Sequence, residues 1–415
     1  MTLGNSSNRL LAVWLTVLLT SFAMAGCTSA NTKNAVETTS ASASIPASAD
    51  SQPPATASEP TSAPESAPAS EPASPEPAPA PEQMAGVTAL RLVDFKSGWA
   101  GGDGWIARTD DGGKTWNRQW SDRYTANELF ALNGREAWAA LGNNEGENKT
   151  LLHTSDGGKK WAEAGALPNS AFLHFVSSAE GFSGNAHTKD GGRSWHTYKL
   201  PDNVVGDTYF HDSKEGWAVS QTDGQINFLR TTDEGANWKQ VNTMKTAVPA
   251  TNAIIRSGGK GDAWIVLIGD SGMSQTSYSL FHTKDAGKHW QPVLANNQAG
   301  SGPAPGYEMN AKTQVPSNTG SAPGPLYVVN RDVAFMGGVC SACDLPNTMG
   351  KTTDGGKTWI NLKPAFPGYG QQLIAAADAK QLWWVLNDPS SASVLYVSSD
   401  GGNNWSKAHT FAKPG

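Results

Sequence analysis

The phrase TDDGGKTW, from Thr109 to Trp116, decides the fold because it returns six more times along the chain. The other copies are TSDGGKKW (Thr154 to Trp161), TKDGGRSW (Thr188 to Trp195), TTDEGANW (Thr231 to Trp238), TKDAGKHW (Thr283 to Trp290), TTDGGKTW (Thr352 to Trp359) and SSDGGNNW (Ser398 to Trp405). All seven fit the pattern [ST]-x-D-x-G-x-x-W, and we call each copy an Asp phrase. Seven copies in one chain indicate a repeat architecture.

Each Asp phrase has the chemistry of a tight β-hairpin. The Asp carboxylate can accept backbone N–H groups two or three residues further on, and the Gly supplies a positive φ. The Trp begins the return strand, where its ring buries apolar surface. We therefore interpret these residues as structural: Asp111, Asp156, Asp190, Asp233, Asp285, Asp354 and Asp400, with Trp116, Trp161, Trp195, Trp238, Trp290, Trp359 and Trp405.

A second element, an apolar strand that carries an aromatic residue, precedes each Asp phrase. Examples are SGWAGG (Ser97 to Gly102), EGWAVS (Glu215 to Ser220) and QLWWVL (Gln381 to Leu386). With one strand before it and one after it, each unit has four strands, A to D, and the Asp phrase forms the C–D turn. Such units predict an all-β fold, a seven-bladed β-propeller of four-stranded antiparallel blades. The predicted blades span residues 87–121, 124–166, 168–201, 204–243, 249–295, 324–364 and 370–411.

The N-terminal residues 1–26 have the features of a signal peptide. The apolar run from Leu10 to Ala25 is shorter than the roughly 20 residues that span a bilayer. It ends in Met24-Ala25-Gly26-Cys27, which resembles the lipobox of bacterial lipoproteins except for Met in place of the usual Leu. That resemblance implies cleavage before Cys27 and its lipidation. An ordinary secretory signal with an unrelated cysteine is the alternative.

Residues 27–86 form the next segment, which is rich in Ala, Ser, Pro, Thr and Glu. A segment with so few large apolar residues cannot bury enough surface to fold, so we expect a disordered tether. The tether carries most of the formal net charge of −6, and residues 87–415 are nearly neutral. The balance gives no electrostatic argument for nucleic acid binding.

Cys340 and Cys343 are the two cysteines of the predicted propeller. Outside the cytoplasm such thiols commonly pair, so we interpret them as a small disulfide loop. A zinc half-site would need a second CxxC or a His pair at ligand spacing, and the sequence has neither. A thioredoxin-like role would need a surrounding βαβ pattern, which is also missing.

The Asp phrase resembles the Asp-box, also called the bacterial neuraminidase repeat. The GWA strand followed by the DGG-W hairpin is most similar to the photosystem II stability and assembly factor family. This resemblance covers residues 87–415 and implies a seven-bladed propeller that binds assembly intermediates without catalysis. Sialidases, xyloglucanases and sortilin-type receptors share the Asp-box, so it is informative about fold rather than function. The sequence lacks the Arg-Ile-Pro motif of sialidases.

The face opposite the Asp phrases is expected to carry function, because the length variation of the repeats collects there. The insertions are residues 142–149, 269–276, 295–324, 340–348 and 387–393, and loops on a rigid scaffold commonly bind ligands. Candidate binding residues are Asp270 and Asp344 in these loops, and Trp105 and Trp120, which are extra to the repeat. Asp103, Asp207 and Asp388 are further carboxylates that could pair across the central opening.

Two functions compete at this stage. The first is a monomeric, extracytoplasmic lipoprotein, anchored to a bacterial membrane, whose propeller binds a protein or cell-envelope partner without catalysis. The second is a carbohydrate-active propeller, either a glycoside hydrolase or a glycan-binding protein. Neither hypothesis needs a cofactor or a metal, and the sequence predicts none.

Overall fold

The structure, a computed structural model, describes residues 83–143, 145–272, 274–297, 302–309, 314–340 and 342–414. The predicted signal peptide, Cys27 and nearly all of the predicted tether lie outside these residues. The regular elements of the described part are all β-strands. No helix in the described ranges is long and apolar enough to cross a membrane.

The strands form antiparallel sheets that follow the order of the chain. The first sheet contains β1 (Val87–Leu92), β2 (Gly98–Thr109), β3 (Asn117–Ala131), β4 (Ala137–Gly142), β5 (Asn148–Thr154) and β6 (Ala162–Ala166). The second contains β7 (Leu173–Phe175), β8 (Gly181–Ser183), β9 (Ala186–Thr188) and β10 (His196–Thr197). The third contains β11 (Val204–Phe210), β12 (Gly216–Thr222), β13 (Gln225–Thr231) and β14 (Lys239–Lys245).

Three further four-stranded sheets complete the described fold. One contains β15 (Asn252–Arg256), β16 (Ala263–Gly272), β17 (Gln275–Thr283) and β18 (Gln291–Asn296). The next contains β19 (Ala322–Val328), β20 (Ala334–Val339), β21 (Asn347–Thr352) and β22 (Ile360–Asn361). The last contains β23 (Gln372–Ala376), β24 (Leu382–Leu386), β25 (Val394–Ser398) and β26 (Ser406–Thr410). The prediction of an all-β propeller with four-stranded antiparallel blades is confirmed at this level.

The prediction of seven separate blades is wrong, because the described strands form six sheets. The first sheet takes in both of the first two repeat units. Strand β2 runs through the predicted B and C strands of the first unit, and β3 runs through its D strand and the A strand of the second unit. Pairing of Asp103 with Thr125, reinforced by a side-chain bond of 3.1 Å, keeps β3 extended where a blade boundary was expected.

The Asp phrases and the A–B turns lie on one face of the propeller. In the first unit Gly112 N–H donates to the carbonyl of Lys96 in the A–B turn, at 2.9 Å. The equivalent residue of each phrase makes the same bond, with Gly157, Gly191, Glu234, Ala286, Gly355 and Gly401 as donors. In every unit the bond ties the Asp phrase to the A–B turn of the same unit, as expected if both turns lie on one face.

The core lies between neighbouring sheets and is built around the B-strand aromatics. These side chains are fully buried: Trp99, Trp138, Phe182, Trp217, Trp264, Phe335 and Trp383. Each packs with residues of the adjacent unit, as when Trp383 of the last sheet contacts Trp116 of the first. Burying one such aromatic side chain contributes roughly 1.5–3 kcal/mol, so the contacts between neighbouring sheets stabilise the propeller.

The two ends of the described chain close the ring. Ala85 forms a parallel bridge with Ala412, and Ala412 N–H donates to the carbonyl of Met84 at 2.9 Å. The Phe411 ring lies 5.7 Å from the ring of Trp105 and 5.6 Å from that of Trp116. The first and last sheets are therefore joined by backbone pairing and by an aromatic cluster.

Candidate functional site

A central cavity of about 490 Å³ lies among the inner strands. Its lining comes from β1, the second half of β3, β7, β11, β15, β19 and β23, which are the A strands of all seven repeat units. One position recurs in each of them, opposite the buried B-strand aromatic. This layer consists of Arg91, Phe130, His174, Tyr209, Arg256, Tyr327 and Ala375.

Arg256 is the cation of the cavity whose charge is balanced. Its Nη1 lies 2.8 Å from Oδ2 of Asp207 and also donates to the carbonyl of Ile255 at 2.7 Å. The guanidinium lies 3.8 Å from the centre of the Phe172 ring, in cation–π geometry. Asp207, one of the predicted free carboxylates, is therefore engaged by Arg256.

Glu128 places a carboxyl group beside this pair. Its Oε2 accepts the N–H of Leu173 at 2.9 Å. Burial raises the pKa of Glu128 to about 8, and Asp207 adds to the rise, whereas Leu173 N–H and Arg256 oppose it. Glu128 is consequently a neutral carboxylic acid at pH 7, and it adds no negative charge to the cavity.

His174 has one ring nitrogen with a partner and one without. Nε2 donates to the carbonyl of Phe210 at 2.8 Å, and the ring stacks on Tyr209 at 4.7 Å. Burial lowers the pKa of His174 to about 3, with smaller contributions from His211, Arg256 and Arg91. The imidazole is neutral, its proton is on Nε2, and the buried Nδ1 has no hydrogen-bond partner among the described residues.

Arg91 is the cation of the cavity without a balancing carboxylate in the described part of the chain. Its guanidinium lies 4.6 Å from the centre of the Phe130 ring. The buried Nε has no hydrogen-bond partner among the described residues. A cation–π contact leaves the in-plane N–H groups of a guanidinium available to an acceptor.

The Asp phrases stabilise the hairpin turns through side-chain hydrogen bonds. In the first, Asp111 Oδ1 accepts the hydroxyl of Thr109 at 2.8 Å and the N–H groups of Lys114 and Thr115, both at 3.0 Å. In all seven, the carboxylate accepts the N–H of the residue four positions on, one further than expected, and in the first phrase it also accepts the expected N–H three positions on. These bonds hold the pKa of Asp111 at about 2.

The Thr or Ser that opens each phrase is a structural residue that the sequence analysis did not single out. Its hydroxyl accepts the N–H of the Gly four residues on, as Thr352 does from Gly356 at 2.9 Å. The seven hydroxyl-bearing residues are buried: Thr109, Thr154, Thr188, Thr231, Thr283, Thr352 and Ser398. Their invariance in the seven-copy pattern was the available signal.

The residue before that Thr also has a role the sequence analysis missed. In five units it is an Arg or His that stacks on the B-strand aromatic and pairs with an acid: Arg108, His153, His187, Arg230 and His282. The most buried pair joins His282 Nε2 to Asp262 Oδ1 at 2.8 Å. In each pair the base lies on a strand and the acid in a nearby turn, so the pairs serve the fold.

The structure does not bring the predicted binding residues together. Trp105 is only 1% exposed, and its indole N–H donates to the carbonyl of Ala85 at 2.9 Å, so it packs in the core instead of forming a surface contact. Trp120 packs against the core around Trp99. Asp270 is exposed near the end of β16 and Asp344 on the loop between β20 and β21, and neither lines the cavity.

Cys340 and Cys343 are joined by a disulfide, with Cα atoms 5.3 Å apart. Within their loop, Cys340 N–H donates to the carbonyl of Pro346 at 2.8 Å. Two further bonds connect the neighbouring segments: Asn347 Nδ2 donates to the carbonyl of Gly368 at 2.7 Å, and Gly370 N–H donates to the carbonyl of Asn387 at 3.0 Å. We call residues 340, 342–346, 366–371 and 387–393 the loop cluster. Leu345 and Tyr369, 51% and 59% exposed, lie on it.

No three His, Cys, Asp or Glu side chains in the described ranges are grouped so that they could hold a metal ion. The cavity offers hydrogen-bonding and charged groups, namely Arg91, Glu128, His174 and Arg256, within apolar walls. Such a lining suits the binding of a small polar group.

Comparison with known proteins supports the fold. No protein-family model matches the chain, and no curated protein sequence is similar to it. The GH74 xyloglucanase from Xanthomonas campestris is 14% identical with a TM-score of 0.53, and the match covers 77% of this chain and 53% of that one, about half its length. At this identity the likeness shows the propeller fold alone.

Two structures of YCF48 are also similar to the chain. The first is YCF48 bound to D1 peptide, which is 15% identical with a TM-score of 0.44, over 80% of this chain and 95% of that one. The second is YCF48 from Cyanidioschyzon merolae, which is 13% identical with a TM-score of 0.46, over 78% and 95% of the two chains.

Proposed function

We propose that the chain is an extracytoplasmic lipoprotein whose propeller binds a protein or cell-envelope partner without catalysis, through the loop cluster. The protein acts as a monomer anchored at Cys27 and needs no cofactor. The observation that carries the proposal is the exposure of two large apolar side chains, Leu345 and Tyr369, on loops that are fixed by a disulfide and by hydrogen bonds.

Rigid, exposed apolar groups favour partner binding for a physical reason. A side chain that is already held in place loses little conformational entropy when a partner covers it. Aromatic residues such as Tyr369 are frequent anchors at the centre of protein interfaces. Asp344 is exposed next to Leu345 and gives this surface a charge that selects the partner by electrostatic complementarity.

Photo-crosslinking in the native host tests the proposal. A photoreactive residue replaces Leu345 in the full-length chain, and in a matched control it replaces Ile360, which is similarly exposed on β22 outside the loop cluster. We expect a discrete product from position 345 alone, and its loss when Tyr369→Asp is added. The same products from both positions, or none from position 345, would contradict the proposal.

The membrane anchor is tested separately. We expect the wild-type chain to partition into the detergent phase in a phase-separation assay, and Cys27→Ser to move it to the aqueous phase. Binding through the loop cluster should persist in the Cys27→Ser protein. Unchanged partitioning would contradict the anchor and leave the binding proposal standing.

A carbohydrate-active propeller is the second candidate, and one observation favours it. Glu128, a carboxylic acid that stays protonated at pH 7, lines the cavity, and the ion-paired carboxylate of Asp207 is near enough to help raise the pKa of Glu128. A protonated acid near an ionised carboxylate is the arrangement that glycoside hydrolases use. Reducing-end release from a glycan panel, abolished by Glu128→Gln, would support it, and an unreactive, non-binding panel would exclude it.

A further inference from the structure

We propose that the central cavity binds a small organic acid that carries a hydroxyl group next to its carboxylate. In this site Arg91 holds the carboxylate, Nδ1 of His174 accepts the hydroxyl proton, and the aromatic wall contacts the apolar remainder. The proposal concerns the central cavity and is independent of partner binding through the loop cluster.

The charges of the cavity favour an anion. Arg256 is balanced by Asp207, whereas Arg91 has no carboxylate partner among the described residues. Glu128 is neutral below about pH 8, because burial raises its pKa. One positive charge, on the half-buried Arg91, is therefore uncompensated near pH 7, and withdrawing a charge from water is costly unless it is paired. A carboxylate supplies the missing pairing and fits the planar donor geometry of a guanidinium.

The open nitrogen of His174 specifies a donor beside that carboxylate. Because Nε2–H is used by Phe210, the neutral ring offers only the lone pair of Nδ1. Arg91, Arg256 and His211 all disfavour a second proton on this ring. A carboxylate oxygen cannot satisfy Nδ1, since both atoms are acceptors, whereas a hydroxyl group can donate to it.

The position of the two groups makes one ligand able to reach both. Arg91 and His174 occupy the same layer of the central cavity, paired with Trp99 and Phe182 of their own units. Phe130, which lies under the Arg91 guanidinium, is 6.2 Å from Phe175 on the strand that carries His174. Phe130, Phe172 and Phe175 line the same cavity, so an apolar or aromatic body fits beside the polar end.

Calorimetry with three related probes tests the inference on the full-length chain. The probes are 3-phenyllactate, 3-phenylpropanoate, which lacks the hydroxyl, and 3-phenyllactamide, which lacks the charge. We expect phenyllactate to bind about fivefold more tightly than phenylpropanoate and at least tenfold more tightly than the amide, from the usual strength of neutral and charge-assisted hydrogen bonds.

Variants assign each preference to its residue. Arg91→Met should remove the preference for acid over amide, and His174→Phe the preference for phenyllactate over phenylpropanoate. The matched control is Arg108→Met, since Arg108 also stacks on an aromatic ring, at 4.5 Å from Trp99, but pairs with Asp110 and lies outside the cavity. Equal affinities of Arg91→Met and Arg108→Met would overturn the proposal, as would wild-type protein that does not distinguish acid from amide.

A spectroscopic measurement keeps the inference testable if a variant does not fold. In the wild-type protein, imidazole ¹⁵N resonances report the state of each nitrogen of His174. Phenyllactate should shift the Nδ1 resonance towards a hydrogen-bonded position while Nε2 remains protonated. An Nδ1 resonance that does not respond at saturating phenyllactate would overturn the assignment of the hydroxyl.

Discussion

Two of the seven Asp phrases carry a side chain where the other five have glycine. Glu234 and Ala286 adopt φ values of 63° and 65°, in the left-handed region, whereas Gly112 occupies the same position with a φ of 79°. A residue with a Cβ in this region is strained by roughly 1–2 kcal/mol. The hairpins of these two phrases therefore hold unfavourable backbone conformations that their hydrogen bonds maintain.

Ala286→Gly should stabilise the protein by about 0.5–1 kcal/mol, because relief of the strain exceeds the added entropy of the unfolded chain. Urea denaturation measures the change. Gly112→Ala is the matched opposite, since a Cβ at Gly112 would meet no atom closer than 3.6 Å and adds only strain. Destabilisation by Ala286→Gly, or a neutral Gly112→Ala, would show that φ at this position does not limit stability.

Glu128 should make stability depend on pH at the alkaline side. Its folded-state pKa of about 8 lies above the ordinary value of 4.5, so the stability it contributes is complete below pH 4.5 and is lost as pH rises through 8. Glu128→Gln cannot ionise. We expect it to match the wild type near pH 5 and to be more stable by on the order of 3 kcal/mol at pH 9.

Thermal denaturation from pH 5 to pH 9 measures the difference. Glu308→Gln is the control, because Glu308 is exposed at the protein surface and its ion pair with Lys245 is loose, at 3.8 Å. A Glu128→Gln protein whose stability follows that of the wild type across this range would contradict a raised pKa and a neutral Glu128.

At the scale of elements, the stacked base and its acid join one hairpin to the next sheet. Arg230 on β13 lies over Trp217 and pairs with Glu215, Nη2 to Oε2, at 3.0 Å. Glu215 is buried, and its Oε1 also accepts the N–H of Gly261 from the following unit at 2.7 Å. One carboxylate therefore connects the B and C strands of one sheet to the A–B turn of the neighbouring sheet.

Arg230→Met should destabilise the protein by about 3 kcal/mol, because it leaves the buried Glu215 carboxylate without a countercharge. Replacing both residues, as Glu215→Gln with Arg230→Met, should restore part of the loss, since no buried charge then remains. Denaturant melts of the two single variants and the double variant measure the coupling. Strictly additive effects would indicate that the pair is not electrostatically coupled.

The sequence predicted these hairpins well because turn chemistry is local. The spacing of Thr, Asp, Gly and Trp within eight residues was enough to identify the hairpins, and the four-strand order of each unit then placed them on one face. The base before five of the phrases was readable too, as His153 and His282 show, but the acid partners of these two, Glu136 and Asp262, lie in turns that only folding brings near. The merging of the first two units into one sheet could not be predicted from the sequence, because a strand pattern does not show whether the strand pairing of β3 continues past residue 121.

The cavity was the least predictable feature, and the reason is geometric. Arg91, Glu128 and His174 come from three repeat units and meet only because the A strands converge on one axis. Nothing in their local sequence separates them from other strand residues. Asp207 was recognised as a candidate carboxylate, yet its pairing with Arg256 depends on the same convergence.

At the scale of the whole molecule, closure explains why Trp105 lies outside the repeat. The ring closes once, so the residues that close it have no counterpart in the other units. Trp105 stacks on Phe411 and donates its indole N–H to Ala85, which pairs with Ala412. The aromatic side chains join the two ends of the described chain more firmly than the short backbone bridge could alone.

Phe411→Ala should destabilise the protein by about 3–5 kcal/mol, as expected for truncating a buried ring that leaves a cavity. Thermal melting measures the effect. Tyr369→Ala removes an exposed ring of similar size and should change stability little. Similar small effects for both would mean that the contact between Phe411 and the tryptophans does not hold the ring closed.

The same closure determines when the first sheet can complete its contacts during synthesis. Asn387 donates to the carbonyl of Val87 at 2.7 Å, and His409 lies within hydrogen-bond distance of Lys114, so contacts span nearly 300 residues of chain. Contacts this distant in sequence form slowly. During synthesis the first sheet must wait, with one side uncovered, until residues 406–412 leave the ribosome, and a chaperone that shields apolar surface would be needed most in that interval.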